Sequence, residues 1–295
     1  MQLIEFSQKL NEPIVVCLGY FGCMHKGHVA LLERAKLLAR ERCAKVALFT
    51  FSNNHLRVLG KDTKLIYTFE ERLQLYESLG VDYVLAAEFT DEFRAKTGAE
   101  FVNQLAKYNL QGVVCGFDYT CGSDRVTSTD LQIALSAHCP VEVVDAVCWN
   151  GKKVSTTLIR ALLADNNLSS ANDLLSEPYF LTGNVVSGRK VGTKIGFPTA
   201  NMQIDNDKLL PVGVFGGVVV LNNDTYKCIV NIGSKPTFDV DSATVEVHLL
   251  GFDGDLYGQT LKVSLTKFLR NITKFASPEQ LSRQLQTDRE SMLND

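Results

Sequence analysis

The sequence has little of what would export a chain, bury it in a membrane or dock it on nucleic acid. Its first residues, Met1-Gln2-Leu3-Ile4-Glu5-Phe6, lack a basic start followed by a long apolar stretch, so no export signal is read there. No segment approaches the ~20 consecutive apolar residues that cross a bilayer. There is no run of Lys and Arg, and a net charge of −3 leaves no electrostatic footprint for a polyanion. The eight cysteines include no C-x-x-C pair and no second half that would complete a zinc site with Cys23, His25 and His28. Most lie inside apolar runs, which reads as buried, reduced thiols in a cytoplasmic protein. What is present is a chain of 295 residues, 45% apolar and 21% charged, long enough for two cores. Small molecules are the expected partners, not nucleic acid or membrane, and the expected assembly is a monomer or weak oligomer.

From Pro13 to about Val147 two patterns alternate. Short apolar, β-branched runs at 14–18, 45–51, 82–86, 112–116 and 141–147 read as strands. Between them, 26–41, 68–78, 98–108 and 128–137 read as helices. Strands separated by helices of ~10–15 residues predict parallel βαβ units, hence an α/β N-terminal domain with a doubly wound parallel sheet. After the polar stretch 165–173 the pattern changes. Runs at 214–221, 226–232, 243–250 and 259–269 are separated by Gly, Asn, Asp and Pro turns, which predicts a small antiparallel β-barrel. A terminal helix over 277–292 follows, with Pro278 behind Ser277. The expected domains are 1–180 and 181–295.

Five stretches carry chemistry. In Gly19-Tyr20-Phe21-Gly22-Cys23-Met24-His25-Lys26-Gly27-His28, two histidines three apart stand where the first strand turns into its helix. Imidazoles and backbone N–H groups there can bind phosphate oxygens, although a pair of exposed turn histidines would look the same. Val154-Ser155-Thr156-Thr157-Leu158-Ile159-Arg160 opens another helix with hydroxyls at its positive end and an arginine one turn on. That suits a polyphosphate, or is a plain cap and a surface arginine. The loop from Gly116 to Ser123, with Phe117 and Asp118 at a strand's carboxyl end, suits a planar ligand or a structural turn. Gly188-Arg189-Lys190-Val191-Gly192-Thr193-Lys194-Ile195-Gly196-Phe197-Pro198-Thr199-Ala200-Asn201 offers backbone N–H groups and cations to phosphates, with Thr199 and Asn201 as oxygen ligands for Mg²⁺. Glu246 lies on a strand with polar residues at alternate positions, Thr244, Glu246 and His248, and is a candidate base or a solvent-facing carboxylate.

The first three stretches together resemble the adenylyltransferase half of the bacterial bifunctional riboflavin kinase/FAD synthetases, members of the H-x-G-H nucleotidyltransferase superfamily. The resemblance extends through Thr50-Phe51, Thr68-Phe69-Glu70-Glu71-Arg72, 89–93 and Phe101-Val102. It implies adenylyl transfer from ATP to FMN, giving FAD. His25, His28, Gly19, Gly27, Ser155, Thr156 and Arg160 would then meet ATP, and Phe117 and Asp118 the flavin. The usual motif has Asp where this chain has Gly22 and Gly where it has Cys23. After Thr50-Phe51 the family usually carries P-H-P or close to it, where this chain has Ser52-Asn53-Asn54-His55. The fourth and fifth stretches resemble riboflavin kinases, along with Gly213-Val214-Phe215, the run from Asn231 to Phe238, and Asp255-Leu256-Tyr257-Gly258. That resemblance implies ATP-dependent phosphorylation of riboflavin. Gly188, Lys190, Gly192, Lys194 and Gly196 would meet ATP, Thr199 and Asn201 would hold Mg²⁺, Glu246 would be the base and Arg270 would lie at the flavin. Two further readings stand beside this one: a riboflavin kinase whose first domain adenylylates weakly or not at all, and a flavin-binding regulator without turnover.

Overall fold

A computed structural model describes every residue except 62, 188–196, 235–242 and 295. The chain forms two compact units, Met1–Thr156 and Thr157–Asp295. The boundary expected from sequence, at 180/181, lies further along the chain. The difference is the segment 157–180, which is tied to the second unit: Asn172 donates from Nδ2 to the Leu265 carbonyl (2.9 Å) and accepts from the Tyr179 N–H (2.8 Å).

In the first unit β1 (Gln2–Glu5), β2 (Ile14–Leu18), α1 (Lys26–Glu41), β3 (Lys45–Phe51), α2 (His55–Val58), α3 (Phe69–Ser78), β4 (Tyr83–Ala87), α4 (Asp91–Ala95), α5 (Gly98–Leu105) and β5 (Leu110–Gly116) follow one another. A hairpin of β6 (Thr120–Cys121) and β7 (Val126–Thr127) leads to α6 (Ser128–Leu135) and β8 (Val141–Val144). A second hairpin, β9 (Cys148–Trp149) and β10 (Lys152–Lys153), precedes α7 (Thr156–Ala164). Six strands form one parallel sheet in the order β1-β4-β3-β2-β5-β8. All of β2 is buried, as an unbroken apolar run covered on both faces requires. From β2 the chain steps outward through β3 and β4, then returns to lie as β5 on β2's other side. The order therefore reverses between β2 and β5, whose ladder pairs Leu18 with Cys115. The turn after Leu18 and the loop after Gly116 leave the sheet side by side, at the place where open α/β sheets bind ligands.

The second unit contains α7 from Thr157 on, α8 (Leu168–Leu174), then β11 (Phe180–Val186), β12 (Ala200–Ile204), β13 (Gly213–Leu221), β14 (Asp224–Ser234), β15 (Ala243–Leu249) and β16 (Thr260–Arg270), and ends in α9 (Pro278–Leu293). The six strands close into a barrel in the order β11-β12-β15-β14-β13-β16, with β16 pairing back to β11. Val230, Ile232, Val245 and Val247 fill its interior, so alternate residues on the same strands face out. All eight cysteines are free thiols. Five of them are buried, Cys43 and Cys148 are exposed and Cys121 is partly so.

Candidate active sites

Between β2 and α1 the backbone passes through two non-glycine residues in the left-handed region, Phe21 at φ 50° and Met24 at φ 41°. Such a turn persists only where its surroundings hold it, and here they do so through carbonyls. Tyr76 donates its hydroxyl to the Phe21 carbonyl (3.0 Å) and Thr50 donates to that of Tyr20 (2.7 Å). Arg72, fully buried, donates from Nη1 to Thr50 Oγ1 (2.9 Å) and from Nη2 to the Phe51 carbonyl (2.8 Å). Its guanidinium also lies against the rings of Tyr20 and Phe69, at 4.9 and 5.1 Å. A side chain at Gly22 would begin 2.6 Å from the Tyr20 ring. The glycine in place of an aspartate is thus what lets that ring lie across the turn.

His25 is the N-cap of α1, and its Nδ1 accepts the His28 N–H at 3.2 Å. With Nδ1 accepting, the proton of the neutral ring sits on Nε2, which leaves that nitrogen a donor. The two imidazoles stack, 3.7 Å between centroids and 16° between planes, and Phe21 meets His28 edge-on. Burial pushes His25 down to about 4, with the charge of Lys153 acting the same way. Burial, then His25, then Lys153 hold His28 well below its ordinary value. Both rings are neutral near pH 7.

A histidine whose folded value is depressed binds fewer protons folded than unfolded between the two values. Its contribution is complete above the unfolded value of about 6.5 and is lost as pH falls toward 4. Acidifying from about pH 7 to 4 is therefore expected to lower the stability of the first unit by up to about 3 kcal/mol through His25 alone. Urea unfolding followed by the fluorescence of Trp149, the single tryptophan, checks this; an unchanged midpoint over that range would refute it.

The ligand atoms of Cys23, His25 and His28 lie within 4.8 Å of one another. Parallel stacking, however, sets the in-plane lone pairs side by side, where a tetrahedral ion needs them to converge. Cys23 Sγ instead lies 3.8 Å from Thr156 Oγ1, at the start of α7. A Cβ on Gly27 would come within 3.1 Å of the His25 ring and 3.6 Å of the Val154 carbonyl, so the histidine turn packs closely on the segment leading to Ser155 and Thr156. Of the residues expected at ATP, this unit brings together His25, Gly27, His28, Ser155 and Thr156. Gly19 opens the same turn, and Arg160 falls in the second unit.

Phe117 and Asp118 stand exposed at the end of β5. Lys153 forms an ion pair with Asp118 and carries its ammonium 4.9 Å from the centre of the Phe117 ring. Sequence reasoning passed over Lys153. It lies on a two-residue strand whose only signal is the flanking Asn150-Gly151 turn.

In the barrel, Glu246 of β15 lies directly opposite Asn201 of β12 on one side and Asn231 of β14 on the other. Val245 and Val247 point inward, so Glu246 and its two amide neighbours share the outer face. His248, one step along that face, bonds through Nδ1 to the Pro198 carbonyl at 2.6 Å and meets the Phe197 ring edge-on. A cleft of about 390 Å³ opens nearby, lined among others by Ser187, Thr199, Asn201, Asp255 and Tyr257. Gly188, Lys190, Gly192, Lys194 and Gly196 lie outside the described residues. Arg270 is held by Asp288 of α9, donating from Nε (3.1 Å) and Nη2 (2.9 Å) to a carboxylate that also accepts from Gln284, and its guanidinium lies 5.6 Å from the Phe275 ring.

A histidine turn at the switch point of a parallel sheet and a barrel with a carboxylate flanked by amides give the chain two candidate sites. The FAD synthetase family model matches residues 7–158 and the riboflavin kinase family model residues 175–294. A Bacillus subtilis bifunctional riboflavin kinase/FMN adenylyltransferase is 32% identical over 288 residues, 95% of this chain and 91% of that protein. The Listeria monocytogenes protein of the same name is 34% identical, covering 93% of this chain and 90% of its own. A solved Streptococcus pneumoniae structure, described as a macrolide-efflux protein, superposes with a TM-score of 0.91 at 32% identity over 99% of both chains. The chain belongs to the bifunctional riboflavin kinase/FMN adenylyltransferase family.

Proposed function

We propose that the second unit phosphorylates riboflavin to FMN with ATP and that the first unit adenylylates FMN to FAD. The observation that carries this reading is the register of Glu246 with Asn201 and Asn231. The ribityl 5′-hydroxyl of riboflavin is a poor nucleophile, and Glu246 takes its proton as the oxygen attacks the γ-phosphorus of ATP. The bond from that phosphorus to the bridging oxygen breaks, and its electron pair leaves with ADP. Asn201 and Asn231 orient the carboxylate and the hydroxyl. Thr199 and Asn201 border the cleft with hard oxygen donors, as Mg²⁺ prefers, and Asp255 adds a carboxylate there. Those residues fit the ion, which when bound neutralises phosphate charge. The loop 188–196 would cover the phosphates. Arg270, engaged by Asp288, would serve the flavin end by orienting Phe275.

Adenylyl transfer needs no base, since the FMN phosphate is already ionised. The first unit has to align that phosphate with the α-phosphorus of ATP and receive the charge that departs with pyrophosphate. His25 and His28 donate hydrogen bonds as neutral rings, Ser155 and Thr156 add hydroxyls, and Phe117 and Asp118 meet the flavin. Free thiols and these substrates support a cytoplasmic setting for the reactions.

Incubation with riboflavin, ATP and Mg²⁺, followed by separation of the flavins, tests the reading. Riboflavin should pass to FMN and then to FAD, and FMN supplied directly should give FAD. FMN that accumulates without FAD under both conditions would leave a kinase alone, and bound riboflavin with no product would leave a binding protein.

A further inference from the structure

The proposed adenylyl transfer leaves a question of charge. Pyrophosphate departs with negative charge, yet the two imidazoles of the turn are neutral and supply hydrogen bonds without a full positive charge. Any side-chain cation therefore comes from outside the histidine pair.

Among the described residues of the first unit, Lys153 is a cation placed for this. Val154, the next residue, packs on the histidine turn, its carbonyl 3.6 Å from where a Cβ on Gly27 would stand. Ser155 and Thr156 follow directly, and Thr156 Oγ1 lies 3.8 Å from Cys23 Sγ on the same turn. On its other side the ammonium reaches the end of β5, where it pairs with Asp118 and lies 4.9 Å from the centre of the Phe117 ring. Lys153 thus stands between the loop assigned to the flavin and the turn assigned to ATP. Its field is felt at both histidines, which it helps to keep unprotonated.

We propose that Lys153 is a catalytic residue of adenylyl transfer, its ammonium moving from Asp118 onto the reacting phosphates. An oxygen of the FMN phosphate bonds to the α-phosphorus of ATP. The bond from that phosphorus to the α,β-bridging oxygen breaks, and the electron pair leaves on pyrophosphate. The ammonium donates hydrogen bonds to the α-phosphate oxygens throughout and transfers no proton. Asp118 holds it ready before the substrates arrive, and the exposed ion pair gives it up readily, because such pairs are weak.

This inference rests on the reading of the first unit as an adenylyltransferase, and the experiment separates the two. Lys153→Met, in the full chain, is expected to lower kcat for FAD formation from FMN by about 10²-fold, the loss seen when one preorganised donor is removed. KM for FMN should change little, riboflavin phosphorylation should proceed at the wild-type rate, and Lys153→Arg should recover most of the loss. The exchanged pair Lys153→Asp with Asp118→Lys restores an ion pair but sets a carboxylate beside the phosphates, so it should stay as slow as Lys153→Met. Recovery in the exchanged pair, or a Lys153→Met rate within threefold of wild type, would overturn the proposal. Calorimetry with α,β-methylene-ATP reads the contact without turnover. Wild type should show two sites, one of them weakened about tenfold in Lys153→Met. If wild type makes no FAD, the adenylyltransferase reading fails, and this binding comparison still decides the role of Lys153: two unaltered sites would overturn it.

Discussion

Replacing Glu246 with glutamine is expected to lower FMN formation by about 10²- to 10⁴-fold, the range a positioned general base contributes. The substitution keeps the shape and a hydrogen-bonding head between Asn201 and Asn231, so the barrel should be unchanged and riboflavin should still bind. Conversion of FMN to FAD, assigned to the other unit, should continue at its normal rate. Product separation measures the two conversions, and quenching of riboflavin fluorescence measures binding. Near-normal turnover by Glu246→Gln would remove the base assignment, and loss of binding together with turnover would move Glu246 from chemistry to substrate positioning.

The second large effect is structural. Arg72→Met should destabilise the first unit by about 3–5 kcal/mol, the scale on which buried polar networks fail when one member is removed. The methionine fills much of the volume but leaves the Phe51 carbonyl without its guanidinium donor and Thr50 without its charged neighbour. Trp149 lies in the first unit, so its fluorescence follows that unit through urea unfolding while the barrel is followed by circular dichroism. A shift below about 1 kcal/mol would show that the network is dispensable. FAD formation should also fall in Arg72→Met under folded conditions, since Tyr20 and Phe21 are the residues whose carbonyls the network holds.

Much of this arrangement was legible from residues. The runs 14–18 and 45–51 announced themselves because a parallel strand covered on both faces must be apolar throughout. The edge strand β1 gave no such signal, as Ile4 alone of its four residues is buried. β11 and β12 escaped for other reasons: Gly183 and Asn184 interrupt one, and the other, Ala200–Ile204, alternates but over only five residues. Glu246 and Asn201 could be named from motifs, but that they face each other across a ladder is a matter of register, which local pattern does not encode. Arg72 reads as an ordinary residue of an amphipathic helix, and nothing local foretells its three acceptors from other segments. Arg270 was expected at the flavin, and its carboxylate partner is 18 residues away on a helix whose docking depends on tertiary packing.

The closure of the barrel also bears on how such a chain can change over time. An open sheet could absorb a one-residue insertion in an outer strand, because the slip would run off its edge. In a ring of six strands the offsets have to add up to a fixed total. A residue inserted within β13 or β16 can be taken up only as a local bulge, as the ladder between those strands already does between Val214 and Phe215 and between Gly216 and Gly217. Point substitutions can accumulate around the ring, whereas length changes fall at such bulges or in the turns between strands.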